Sequence, residues 1–300
     1  MRERRHAWPA YALNAPALLF FGLLLAAPVA STLVLSLRVF DEARSSWSGW
    51  GFANYVAVLT DPYFHTIFVR TFALAATVTL LCVAIGTPEA LILSRMRAPW
   101  RGLCLMAILA PFLISVVVRT LGWAVLMGGN GLLSRALLAW GVVDRPIVLM
   151  YTMTGMVIAM VHVLVPFVVI AVWVALQRCE PDVERAGASL GASEAMILRR
   201  LVLPQVMPGI ASGAVVVFTL AATSFATPAI IGGRRLKVVA TAVYDAFLGT
   251  MDWPQGAALA IGLLIANVAI LAAWRRLAEG RRSSVAPTVD APMTLEEVRP

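Results

Sequence analysis

The chain has 300 residues, 60% of them hydrophobic and 13% charged, against roughly 45–50% and about 25% in soluble domains. A mean hydropathy of +0.85 with a formal net charge of +8 argues against an ordinary soluble enzyme, and the basic excess needs no nucleic acid to explain it, because arginine crowds into the cytoplasmic loops of membrane proteins. Cys82, Cys104 and Cys179 provide neither a disulfide framework nor a metal-ligand spacing.

A spanning helix needs about 20 apolar residues, so the gaps between charges predict the elements. Residues 1–13 are expected to be a cytoplasmic N-terminus. No charge falls between Ala7 and Leu37, and the first span is placed at 14–37. The basic start MRERRHAW and the small residues PVAS resemble a secretory signal. The apolar region nevertheless exceeds the roughly 7–15 residues of a signal core and continues through STLVLSL, which predicts an uncleaved span. Thr71–Pro88 is uncharged and predicts a second span at 68–94, with Glu89 near its end. The third is placed at 103–127, interrupted only by Arg119. Pro146–Gln177 holds no Lys, Arg, Asp or Glu and predicts a fourth at 149–176, which contains His162. The fifth, 206–227, lies inside the uncharged Leu201–Gly233, and the sixth is placed at 255–274. The expected fold is an all-α membrane protein with a transmembrane domain over 14–277. Residues 278–300 are polar and contain proline, and are expected to be a disordered cytoplasmic tail.

Six spans put both termini on one side. With that side cytoplasmic, 15 of the 24 basic residues lie inside, including Arg95, Arg97, Arg101, Arg178, Arg185, Arg199 and Arg200. The bias favours both termini in the cytoplasm for a multi-pass membrane protein, in contact with lipid and not with nucleic acid.

One segment breaks the apolar pattern. VERAGASLGASEAMILRRLVLPQVMPG, Val183–Gly209, lies in a loop at 178–204 between spans four and five. Glu180-Pro181-Asp182 reads as a helix start, with proline in the first turn and acids at the positive end. Gly191 is placed to close that helix in a left-handed conformation. Ser193 is placed to cap a second short helix through Arg200, limited by Pro204. Ala186, Gly187, Ala188, Ser189, Gly191 and Ala192 give a face with almost no side chain. Such a face suits close docking of another protein, or packing against the chain's own membrane domain; composition leaves both readings open.

This segment resembles the cytoplasmic signature of inner-membrane permease subunits of binding-protein-dependent ABC importers: Glu-Ala-Ala, three residues, Gly, nine residues, Ile, one residue, Leu-Pro. Anchored on Gly191, the nine residues are Ala192–Arg200, Leu201 stands for Ile, and Leu203-Pro204 matches. The Glu-Ala-Ala positions hold Arg185, Ala186 and Gly187, with Glu184 one residue earlier. LPQVMPGIASGAVVVFTLAATSFATPAIIGG, VVVRTLGWAVLMGGNGLLS and FANYVAVLTDPYF are similar to the spermidine/putrescine-type branch. The resemblance implies a type I ABC importer-like permease fold. It also implies a second permease subunit in a heterodimer, two ATP-binding subunits and a periplasmic or extracellular solute-binding protein. Glu184, Arg185, Ala186, Gly187, Ala188, Gly191, Ala192 and Ser193 would form the helix that couples to the ATPase.

No G-x-x-x-x-G-K-[ST] phosphate loop is present, and Gly232-Gly233-Arg234 is too short to be one. The chain is therefore expected to be non-catalytic and without a cofactor or metal of its own, with ATP and magnesium on the partner ATPase. Arg119, Trp123, Phe225 and Pro228 are candidates for the substrate path. Asp245, Asp252 and Asp144 read as external acids, either solvated loop charges or groups that could meet a cationic solute. Glu89 reads as an interfacial or bundle-facing carboxylate near Arg95, and His162 as a hydrogen-bonding residue inside the bundle. The branch resemblance implies a polyamine; ferric iron and opine- or amino-acid-derived solutes stay open. An ion-coupled secondary transporter would want paired intramembrane ionisable residues or an internal repeat, and neither is apparent.

Overall fold

Pro16 and Pro28 do not stop the first apolar run, which forms one helix, α1 (Ala7–Ser36). Prolines are tolerated in spanning helices; just after Pro28 the Ser31 and Thr32 hydroxyls fold back and donate to the Ala27 and Pro28 carbonyls, as such side chains do within helices. The computed structural model describes residues 7–41 and 46–283, with side chains described for 14–39, 49–180 and 182–276. The expectations for residues 1–6 and 284–300 lie outside the described residues. Residues 278–283, expected to begin a disordered tail, are helical.

After α1 the chain forms an antiparallel ribbon, β1 (Arg38–Asp41) with β2 (Ser46–Trp50), which an all-α reading does not include. Asn54 holds its base by donating to the Ser36 and Arg38 carbonyls at 2.9 and 2.7 Å, and the Arg38 guanidinium lies 4.4 Å over the Trp50 ring. A short α2 (Ala53–Thr60) follows. Asp61 accepts the Tyr63 amide at 2.8 Å and Pro62 fills the first turn of α3 (Pro62–Arg95), a start in which proline leaves no amide unpaired. Its 34 residues span about 51 Å at 1.5 Å each, longer than the ~30 Å hydrocarbon layer.

The third predicted span is not one helix. α4 (Ala98–Leu113) ends at an extended pair, Ile114 and Ser115, before α5 (Val116–Met127) and α6 (Leu132–Ala139). Pro111 lies just before the break. It donates no amide and crowds the preceding turn, and the carbonyls of the last turn have no helical partner. Arg119 reaches back from α5 and donates to the Pro111 carbonyl.

Thr152 accepts the Gly155 amide at 3.1 Å and starts α7 (Met153–Leu176). α8 (Pro181–Ser189) and α9 (Glu194–Ile197) follow. α9 is not cut off by Pro204 as the sequence suggests. It passes through a π turn, Leu198–Val202, directly into α10 (Leu203–Ala222). The Leu203 amide reaches the Leu198 carbonyl five residues back, and this wider turn carries the chain past a proline that has no amide to give. α10 ends at Ala222, short of the predicted 227. A second π turn (Pro228–Gly232), α11 (Val239–Tyr244), a third π turn (Asp245–Gly249) and α12 (Trp253–Ser283) complete the chain. Among the described residues six helical stretches are long and apolar enough to cross a membrane, the third of them being Val116–Ala139, in which α5 and α6 are taken together.

The core is α3, α7 and α10 packed through small residues. A Cβ on Gly86 of α3 would lie 3.1 Å from Val168 Cβ, and one on Gly213 of α10 would lie 3.1 Å from Val168 Cα. Val168 is thus gripped from both sides. A Cβ on Gly209 would lie 2.5 Å from Ala175 Cβ. Gly209 and Gly213 are four residues apart, the spacing that lets two membrane helices approach backbone to backbone. Two compact units divide the chain within α12: one through Leu263, the other, from Leu264, the remainder of that helix.

Candidate functional site

α8 begins where α7 leaves the apolar layer. Pro181 opens it, and Asp182 and Glu184 lie in its first turn, where acids meet the positive helix end. Its close is set by Gly191, with φ +78°, a backbone that side chains resist and glycine adopts freely. The Gly191 amide donates to Ala188 O at 3.0 Å and the Ala192 amide to Gly187 O at 3.1 Å, satisfying carbonyls of the last turn. Ser193 then accepts the Met196 amide at 3.4 Å and caps α9.

The bend sorts the predicted residues into two faces. Arg185, Ala186, Ala188, Ser189, Gly191 and Ser193 are exposed. Arg185 is held by Asp182 at 3.0 Å within the helix. Gly187 and Ala192 turn the other way. A Cβ on Gly187 would come 2.9 Å from Leu201 Cδ1 and 3.3 Å from Ile197 Cγ1. Gly187 therefore seats α8 against the start of the fifth span and does not belong to an outward docking face. Glu184 also faces inward and pairs with Arg95, the last residue of α3, at 3.8 Å. Leu190, not among the predicted coupling residues, is the most exposed large hydrophobic side chain of the loop, at 88%. Burial chiefly, with the Glu184 charge behind it, pushes the Cys179 thiol above its ordinary range.

The path candidates are scattered. Arg119 splices α4 to α5 as described, and its Nε is buried without a partner among the described residues. Trp123 donates its indole N–H to His162 Nδ1 at 3.4 Å, the two rings edge to face at 5.4 Å. His162 is exposed on α7, where the sequence placed it inside the bundle. Glu89 is half-buried, and Arg95 has turned away from it to Glu184. Pro228 is buried and shapes the π turn, whereas Phe225 is exposed. The Phe225 ring meets Tyr244 at 4.8 Å. Tyr244 was not anticipated, because it becomes a neighbour only when the chain returns through α11.

The two acids expected to face outward are engaged. Asp245 pairs with Lys237 Nζ at 2.7 Å, and Asp252 accepts the Gln255 amide at 3.1 Å at the head of α12. The Lys237 ammonium is held above its ordinary range first by the hydrogen bond to Asp245, against the opposing effect of burial.

Residues 83–282 match the family described as "Binding-protein-dependent transport system inner membrane component". The chain is 30% identical over 223 residues to the spermidine/putrescine transport system permease protein PotB of Escherichia coli, covering 74% of this chain and 81% of that one. It is 31% identical over 218 residues to the molybdenum transport system permease protein ModB of Mycobacterium tuberculosis, covering 73% and 80%. In fold it is similar to a chain in the crystal structure of a bacterial ABC transporter that imports the acidic polysaccharide alginate. There the TM-score is 0.73 at 17% identity, with 91% of this chain and 95% of that one covered.

Proposed function

The chain belongs to the family of binding-protein-dependent transport system inner membrane components, and on that premise we propose that this ABC importer permease moves a polyamine, putrescine or spermidine, or a related small cation. ATP would be hydrolysed by two partner subunits, with a second permease subunit closing the path and a solute-binding protein delivering the cargo. Both termini would be cytoplasmic, which places α8 on the ATPase side of the membrane.

The observation that carries the coupling role is the shape of the α8–α9 bend. Its outer surface offers small residues and the bare Leu190 side chain. Its inner surface is fixed by Gly187 against Ile197 and Leu201 and by Glu184 against Arg95. A push on α8 would be passed through α9 and its continuous π turn into α10, and from α10 into α7 through Gly209 and Gly213. Energy transfer between distant sites requires such an element with two positions that both sites bias.

Relatives named for spermidine and putrescine support the cationic substrate. Because Asp245 and Asp252 are engaged, recognition is assigned to aromatic faces, those of half-buried Trp123 and of the exposed Phe225–Tyr244 pair, which attract cations through the ring quadrupole. The test is to isolate the solute-binding protein of the same transport system and identify its bound ligand by mass spectrometry. A polyamine is expected. Molybdenum in the binding protein, in keeping with the molybdenum-transport relative, would overturn the substrate but leave the importer. A reporter fused after Ala286 should be cytoplasmic; an external reporter would place α8 on the wrong side for the ATPase.

A further inference from the structure

At the end of α3 remote from α8, a cavity of about 420 Å³ lies between the first turns of α3 and the segment before α11. Its charged lining is entirely basic: Arg70 from α3, and Arg234, Arg235 and Lys237 from the returning chain. Tyr63 and Thr66 add hydroxyls at the rim. Two of the cations are positioned in advance. Arg70 Nη1 donates to the Lys237 carbonyl at 3.1 Å, and Lys237 Nζ is fixed on Asp245 at 2.7 Å. Asp245 neutralises one of four charges. Arg234 and Arg235 are exposed and make no ion pair among the described residues. Like charges gathered in a concave site repel one another, and an anion relieves that repulsion.

We propose that this cavity is a binding site for a phosphate group. Guanidinium forks match the planar, bidentate geometry of phosphate oxygens, and a tyrosine at the rim suits the headgroup level of a bilayer. The depth fits a phospholipid source. Arg70 lies eight residues after Pro62, about 12 Å along a helix that overreaches the hydrocarbon layer by about 10 Å at each end if centred in it. The site therefore opens at the membrane interface, where anionic headgroups lie. Free phosphate carries the same chemistry, and the test separates the two.

The full-length chain, purified with its partner subunits, is placed in nanodiscs of phosphatidylcholine with or without phosphatidylglycerol. Bound lipid is counted by native mass spectrometry. Arg234→Gln/Arg235→Gln is compared with a charge-matched control on other exposed arginines, Arg135→Gln/Arg145→Gln, and with Arg234→Lys/Arg235→Lys. Removing two membrane-facing cations should weaken phosphatidylglycerol retention on the order of tenfold, with the control unchanged and the lysine pair partly restored. Displacement of that lipid by millimolar inorganic phosphate identifies free phosphate as a competing occupant of the same site. Equal lipid retention by all variants, with no protection by inorganic phosphate, overturns the proposal. So does a loss confined to binding of the solute-binding protein, which would make the patch a protein contact.

Discussion

Arg95, the last residue of the second span, places its guanidinium 3.8 Å from the Glu184 carboxylate of α8. The importer signature puts its acid one position later, where this chain has Arg185, and Arg185 faces outward on Asp182. The acid has moved one residue along the helix and round to the inner face. There it ties α8 to a helix far away in sequence.

Both partners are about half exposed, at 54% and 43%, and exposed ion pairs contribute only about 0.2–1 kcal/mol. Glu184→Gln should therefore lower solute-stimulated ATP turnover by no more than about fivefold. The exchange Arg95→Glu with Glu184→Arg should recover most of it. Cys179 offers a second readout. A nearby negative charge raises a thiol, so removing it lowers the thiol and increases the thiolate present at a fixed pH. Maleimide labelling of Cys179 should be faster in Glu184→Gln, and only modestly so because burial is the larger cause.

The two glycines of the bend should fail in different ways. At Gly191 an added Cβ meets nothing within 4 Å, but φ is +78°, a conformation costing a non-glycine residue about 1–3 kcal/mol. Gly191→Val should uncouple transport and Gly191→Asn should be tolerated, since asparagine accepts left-handed backbone. Gly187→Leu should displace α8 from Ile197 and Leu201 and lower the melting temperature of the permease. Ala188→Trp, on the exposed face, should leave that temperature unchanged and still lose co-purification of the ATPase. Identical melting and ATPase binding for the two variants would remove the two-faced reading of α8.

Gly209→Leu should disrupt the contact between α10 and α7. The first added carbon already falls 2.5 Å from Ala175 Cβ and 2.9 Å from the Ala171 carbonyl. Overpacking of this kind costs about 1–3 kcal/mol or more. Thermal unfolding in detergent should show a clear drop, and Gly22→Leu, where a Cβ meets nothing within 4 Å, should show none.

Asp245→Asn removes the partner that holds the Lys237 ammonium. Because Lys237 is raised in the folded chain, the pair's contribution is complete below the ordinary lysine range. It is lost as pH rises through the elevated value. Between pH 6 and 9 this contribution should be flat, so the wild type should show no pH dependence of stability from this pair in that window. Asp245→Asn should loosen the segment before α11, read as faster hydrogen exchange at the Val239 amide, which donates to Thr71 Oγ1 at 2.9 Å.

The apolar stretches were legible because charge inside a bilayer is expensive, so the gaps between arginines mark where lipid must be. The break at Ile114–Ser115 was not, since hydropathy measures whether residues tolerate lipid and not whether the helix is continuous; Pro111 was the available signal. Gly191 could be read from the bend it allows. The inward turn of Gly187 could not, because a small residue looks the same on either face of a helix until its neighbours are placed. Asp245 looked free in sequence because its cation, Lys237, approaches only after the chain folds through α11. The four-residue spacing of Gly209 and Gly213 went unread, because it gains meaning only once the Ala171–Ala175 surface stands opposite.

The most apolar stretch of α1 is 0% buried, and among the described residues the end of this helix is held to the chain where Ser36 meets Tyr55 and Asn54. A segment attached in this way is modular. It can be lengthened, shortened or exchanged between relatives without disturbing the packing around Val168. Changes there would spread through a lineage under rules of membrane thickness and subunit choice, while α3, α7 and α10 stay bound by the geometry of their glycines.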